Sequence, residues 1–205
     1  MNAPPGNATR VPVEDLRRLL FELFSRVPIS AEHAELIADL MIDTDLRGVV
    51  SHGVMQVERY VRGWQKRSCN TSPTVEILKE GPATAALNGD GGLGYIVATR
   101  AMEMAIERAK GIGVGIVTTT YHDHIGSAGK YVRMALRQGL IGVGLSGRSA
   151  SPSYDRDSTI GGSIQGSPPF CVGMPSGPDQ PPFMLDMSTA MPWDEEVFAK
   201  MPQAY

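Results

Sequence analysis

The chain lacks the surplus of positive charge that a polyanion binder carries. Its 19 lysines and arginines face 22 aspartates and glutamates, a formal net charge of −3 at pH 7. Nucleic acid and anionic lipid surfaces both select clustered basic residues, so neither is an expected partner. No apolar run approaches the ~20 residues that cross a bilayer, and residues 1–12, with Pro4, Pro5 and Gly6, hold no apolar core of a secretory leader. No membrane association is expected. Cysteine is scarce too: Cys69 and Cys171 stand far apart without ligand spacing. They read as free thiols in a reducing compartment rather than as a disulfide or metal framework, which makes the cytoplasm the expected location. There is no internal repeat.

What is present fits a globular α/β protein. At 205 residues the chain can bury one sizeable core, or one domain and part of a second. After a tail over 1–12, expected to be disordered, Leu16, Leu19, Leu20, Leu23 and Val27 recur at helical spacing, with Glu14 and Asp15 in the first turn where they suit the helix dipole. Pro28 ends this helix. Ser30 caps a second, carried by Ala34, Ile37, Ala38 and Met41 to about Arg47, and a third covers Val54 to Gln65. Residues 13–72 are thus expected to form an N-terminal helical unit.

From Val75 the pattern becomes short apolar runs: 75–78 and 83–87 around the turn signal Gly81-Pro82. A helix over 96–110 stops at Gly111 or Gly113. A buried strand is predicted at 114–119, a helix at 127–138 ending at Gly139, and a buried strand at 140–145, which together read as a βαβ unit. Residues 146–182, rich in Gly, Ser and Pro, read mostly as loop around Phe170-Cys171-Val172, with one more strand at 183–186. The expected class is α/β, a mixed sheet with flanking helices over 73–205 and the helical unit before it.

Chemistry concentrates in three places. Arg47-Gly48-Val49-Val50-Ser51-His52-Gly53 sets an imidazole beside a hydroxyl between two glycines. Histidine alone titrates near neutrality without help, and a neighbouring serine can orient it. His52 therefore reads as a proton carrier with Ser51, the alternative being a histidine that merely closes a helix. His124 follows a strand and precedes a possible cap at Ser127, where backbone N–H groups meet an anion, or else it sits in a simple capped turn. His122 and His124 bracket Asp123, a spacing compatible with a metal, but two imidazoles without a thiolate make a poor ligand set and no metal is expected. His33, in the first turns of the second helix, reads as structural. Asp90-Gly91-Gly92-Leu93-Gly94 lacks the Gly-x-Gly-x-x-Gly fingerprint, so a Rossmann fold is not expected, and these glycines either form a tight turn or touch a ligand.

Arg47-Gly-Val-x-Ser-His-Gly with Tyr60, Asp90-Gly-Gly-Leu-Gly, His124-Ile-Gly-Ser-Ala-Gly, Gly161-Gly162 and Leu185-Asp-Met-Ser-Thr occur in one order. Taken together over residues 13–191, they resemble the malate/L-lactate dehydrogenase type 2 family. The resemblance implies a non-Rossmann NAD(P)-binding architecture over 73–205, incomplete at its C-terminal end because family members run further. It implies an NAD(P)-dependent oxidoreductase moving hydride between nicotinamide and a small 2-hydroxy or 2-oxo acid, or a related imine. His52 would be the proton donor and acceptor, and NAD or NADP the cofactor. A small carboxylate substrate and a homodimeric partner follow. Cofactor contacts are implied for His124, Ile125, Gly126, Ser127 and Ala128, and for Leu185, Asp186, Met187, Ser188 and Thr189, with Asp186 open to being a plain helix cap.

Substrate contacts are implied at Arg47, Gln56, Arg59 and Tyr60, although Tyr60 also has core spacing with Val57 and Trp64. Many family members carry an arginine where this chain has Gln56. A neutral amide cannot grip a carboxylate as a guanidinium does, so Arg59 or Arg47 is expected to take that part. The rival expectation is a truncated, non-catalytic binding or assembly subunit of the same fold.

Overall fold

The computed structural model describes residues 6, 9–147 and 168–189. The Gly161-Gly162 motif, Ala190-Met191 and the segment 192–205 lie outside them.

Three helices open the fold: α1 (Val13–Phe24), α2 (Ala31–Leu46) and α3 (Val57–Gln65), with two 3₁₀ turns at Val50–His52 and Val54–Gln56 between the last two. The Ser30 hydroxyl accepts from the His33 N–H at 3.2 Å and caps α2 as its sequence position predicts. Leu20, Phe24, Ala34, Ile37, Ala38, Met41, Tyr60 and Trp64 form the first core, and Phe24 meets Trp64 edge-on with ring centroids 5.5 Å apart. Ile42, Cys69, and Leu93 and Tyr95 at the start of the next helix join it.

β1 (Glu76–Glu80) and β2 (Thr84–Asn88) pair antiparallel, as the two apolar runs predict, with a bulge that leaves Leu78 out of register. α4 (Gly94–Ile112) then crosses to β3 (Ile116–Thr120), which lies parallel to β2. Gly113 ends α4 in the left-handed conformation, φ +90°. α5 (Gly129–Leu136) leads to a second sheet, β4 (Gly142–Leu145), β5 (Pro169–Met174) and β6 (Phe183–Ser188), antiparallel throughout with β5 central.

The fold is mixed α/β, with three departures from the sequence reading. The βαβ unit is β2–α4–β3, whereas β3 and β4 belong to different sheets. Sequence order suggested pairing where only α5 connects them. The 146–182 stretch holds the central strand β5, whose Cys171 is fully buried; six residues with one glycine gave too short a signal. The strands predicted as buried are covered on one face only. α4 packs on the first sheet through Ala85, Leu87, Val97, Ala101 and Met104, and α5 on the second through Ala128, Val132, Cys171 and Met184. Ile116, Val143 and Leu145 stay exposed, the last at 69%. A continuous apolar run signals two covered faces, and a second covering layer is not among the described residues. Nor is any described helix long and apolar enough to cross a membrane.

Candidate active site

His52 closes the 3₁₀ turn after α2, where the chain must reverse between two helices. Asp45, on the last turn of α2, holds that reversal: one carboxylate oxygen accepts from the Val54 N–H at 3.1 Å. Gly53 lies so close that a Cβ there would overlap the same carboxyl group. The Gln56 side chain donates to the Ser51 carbonyl at 2.7 Å, so its amide is a strut of the turn. Ser51 Oγ and His52 Nδ1 are hydrogen-bonded at 2.9 Å, which orients the ring and leaves Nε2 as its other polar atom.

His124 reaches the same place from the far side of the fold. Its loop is held by the Asp90–Gly94 turn: the Gly94 N–H donates to the His124 carbonyl at 3.1 Å, the Asp123 N–H to the Gly92 carbonyl at 2.9 Å, and the Gly91 N–H to the Tyr121 carbonyl at 2.8 Å. Asp90 and Tyr121 take left-handed φ values of 51° and 50°, an uncommon conformation for residues with side chains. The glycine motif is thus a tight turn that positions His124. The Asp123 carboxylate accepts from the His124 N–H at 2.7 Å.

The two imidazoles face each other with centroids 5.6 Å apart and planes 32° from parallel. Tyr60 Oη lies 2.7 Å from His124 Nδ1, and its hydroxyl also contacts that of Tyr95 at 3.5 Å. Tyr95 donates to the His52 carbonyl at 3.4 Å. Burial lowers the proton affinity of both histidines. For His124 the neighbouring Arg59, His52 and Lys130 add to burial and Asp123 opposes them, leaving it at about 4. For His52, Lys130 and Arg59 act with burial while Asp186 opposes it. Burial also pushes the Tyr60 hydroxyl up to about 12. The pair is uncharged near neutrality.

The remaining expected site residues divide. Arg59 stands near both imidazoles and pairs with Asp123 at 3.6 Å. Arg47 is drawn instead to Asp43 at 3.6 Å. Ile125 is half-buried, while Gly126, Ser127 and Ala128 are buried. Ser127 does not cap α5: its hydroxyl lies 3.4 Å from that of Thr44, and the Gly129 N–H at the start of α5 donates to Asp186 at 3.1 Å. Asp186 caps no helix of its own but sits in β6 and supplies the anion for α5. Alternation along that strand puts Leu185 and Met187 on the face opposite Asp186 and Ser188. Thr189 bonds the Pro168 carbonyl through both its N–H, at 2.9 Å, and its hydroxyl, at 2.8 Å. His122 turns away, bonded to Thr119 Oγ1 at 2.9 Å and to the Asp123 carbonyl at 2.7 Å. A surface hollow of about 460 Å³ between α4 and α5, lined by Glu103, Ile106, Met134 and Arg137 among others, includes neither His52 nor His124.

The sequence model of the malate/L-lactate dehydrogenase family matches residues 11–197. The chain belongs to that family. It is 36% identical over 187 residues to a malate dehydrogenase of Pyrococcus horikoshii, covering 90% of this chain and 50% of the relative. The solved structure of the Pyrococcus horikoshii OT3 malate dehydrogenase superposes with a TM-score of 0.79, over 90% of this chain and 51% of that one. An L-sulfolactate dehydrogenase of Methanocaldococcus jannaschii is 35% identical over 179 residues, 86% of this chain and 50% of the relative. The NAD(+) ureidoglycolate dehydrogenase of Escherichia coli O157:H7 is 33% identical over 132 residues, 64% of this chain and 38% of the relative. The chain spans about half the length of the first two of these curated relatives.

Four neighbours of the histidine pair were not singled out from sequence: Asp45, Thr44, Tyr95 and Lys130. Asp45 and Thr44 sit at the polar end of an amphipathic helix, where acidic and hydroxyl residues ordinarily meet solvent. Lys130 is 2% exposed, whereas lysine is among the residues least often buried. The available signal was its position between Gly129 and Tyr131, with Val132 next: four consecutive buried residues leave that turn of α5 no solvent face.

Proposed function

We propose that the chain carries the proton-transfer centre of an NAD(P)-dependent oxidoreductase acting on a small 2-hydroxy or 2-oxo acid, or on a related imine. His52 is the proton donor and acceptor. The observation that carries this reading is the pairing of two uncharged, partly open imidazoles, one oriented by Ser51 and the other by Tyr60, beside one exposed guanidinium.

A nicotinamide fits this donor set, because both rings are uncharged and the Asp186 carboxylate acts at His52 against the positive charge of Lys130 and Arg59. His124 and Ile125, the backbone of Gly126–Ala128, and the Asp186 and Ser188 face of β6 are the residues that would hold it. When bound, it takes up or supplies the hydride at the substrate carbon. His52 takes the hydroxyl proton as the carbonyl forms and returns it in the reverse direction. Ser51 fixes the ring in one orientation. Arg59 receives the substrate carboxylate, since it acts on both imidazoles while Arg47 acts on neither, and Gln56 is spent on the Ser51 carbonyl. Tyr60 fixes the ring plane of His124.

Titration of the purified chain with NADH and NADPH, followed by its tryptophan fluorescence, tests the cofactor reading. Saturable quenching by either nucleotide supports it. No response to either, with native near-UV circular dichroism, favours a non-catalytic binding or assembly subunit of the same fold.

A further inference from the structure

Lys130 is buried directly behind the histidine pair, and proton transfer as described makes no use of it. An ammonium removed from water costs several kcal/mol unless it is paired. Lys130 Nζ has no hydrogen-bond partner among the described residues. It lies over the Tyr95 ring instead, 3.4 Å from the centroid, with the Tyr131 ring 5.3 Å away. Gly126, with φ +70°, makes this possible, because a Cβ there would overlap both Nζ and the Tyr95 hydroxyl. That hydroxyl contacts the His52 carbonyl at 3.4 Å and the Tyr60 hydroxyl at 3.5 Å, and Tyr60 reaches His124 Nδ1 at 2.7 Å. A single aromatic ring separates the ammonium from the hydroxyls that contact both histidines.

Two carboxylates favour the charged form of Nζ, each shared with other donors. On α2, Asp43 already meets Arg133, Arg47 at 3.6 Å and Arg137 at 4.0 Å. On β6, the Asp186 carboxylate accepts from Gly129. α5 itself contributes the cation Arg133 and the neutral Tyr131, and α4 the neutral Tyr95. Arg59 on α3 and Asp123 in the His124 loop act on the imidazoles with opposite sign.

We propose that Lys130 is a positioning residue that sets the proton affinity of the His52–His124 pair, its buried charge behind Tyr95 opposing a second positive charge on either ring. This rests on the reading of the two histidines as the proton-handling pair. The expected contribution keeps His52 unprotonated at neutral pH, so that the ring is free when the hydroxyl substrate arrives. Lys130's own proton affinity is lowered by burial and by Arg133, while Asp43 and Asp186 work to retain the charge.

Imidazole NMR titration of the 205-residue chain tests this, with His33 and His122 as internal references. Lys130→Met and Lys130→Gln raise the midpoints of His52 and His124 by about half a unit to one unit, while Lys130→Arg leaves them within a few tenths. Unmoved midpoints in a neutral variant with native near-UV circular dichroism overturn the proposal. In the wild-type chain, which needs no variant to fold, the Lys130 13Cε resonance shows an inflection at the histidine midpoints; a flat trace also overturns it. The outcomes separate from those of the parent reading. Midpoints that move while His52→Ala keeps its turnover remove the catalytic role and leave the coupling, whereas unmoved midpoints with an inactive His52→Ala do the reverse.

Discussion

Acidification should unfold this chain partly through His124, and the size of the effect follows from its surroundings. The ring is held neutral in the folded state at about 4, against 6.5 for an ordinary histidine. Between those values the unfolded chain binds a proton that the folded chain refuses. The stabilisation from His124 is therefore complete above pH 6.5, declines as pH falls through that window, and is gone near pH 4. At ~1.4 kcal/mol per pH unit the full gap corresponds to about 3 kcal/mol. His124 is only half-buried, so about 1–2 kcal/mol is expected. Urea unfolding at pH 7 and pH 4, read from the fluorescence of the buried Trp64, measures it. Carboxylates contribute equally to the wild type and to His124→Gln, so the difference between their losses reports this ring together with its coupling to His52. His124→Gln should lose about 1–2 kcal/mol less than the wild type between the two pH values; equal losses refute the burial argument for His124.

Two further substitutions probe the turn and the anion contact. Gly53→Ala drives a methyl group into the Asp45 carboxyl that holds Val54, and about 2 kcal/mol of stability should go; a urea midpoint unchanged from wild type means Asp45 is not fixed there. Arg59→Met should raise KM for a 2-oxo acid about 10- to 100-fold with kcat within a few-fold. Its exposed pair with Asp123 at 3.6 Å is worth little, so stability should stay within about 0.5 kcal/mol, and an unaltered KM assigns the carboxylate to another group.

Much of the scaffold was legible because its signals are local. Leu16, Leu20 and Leu23 announce α1, Ser30 caps α2 as read, and Gly113 and Gly139 stop α4 and α5 with positive φ. Pairing was less legible, since which strands share a sheet depends on where helices pack. β3 and β4 look consecutive in sequence yet belong to different sheets. At the site, the motifs pointed to His52, Ser51, Tyr60 and His124, which the fold brings together from α2's end, α3 and the loop after β3. The hydroxyl of Ser127 could not be traced to Thr44, nor Asp186 to the start of α5, because those partners lie 83 and 57 residues away. Lys130 escaped notice because a lysine in a first helical turn normally faces water, and only the Gly126 backbone and the Tyr95 ring make its burial tolerable.

Turnover of His52→Ala, with NADH and NADPH and a panel of small 2-oxo acids, bears most directly on the role given to that imidazole. The variant should keep its fold and its nucleotide-induced quenching but lose about two to four orders of magnitude in rate relative to the wild type. Turnover equal to the wild type's would take His52 out of the chemistry.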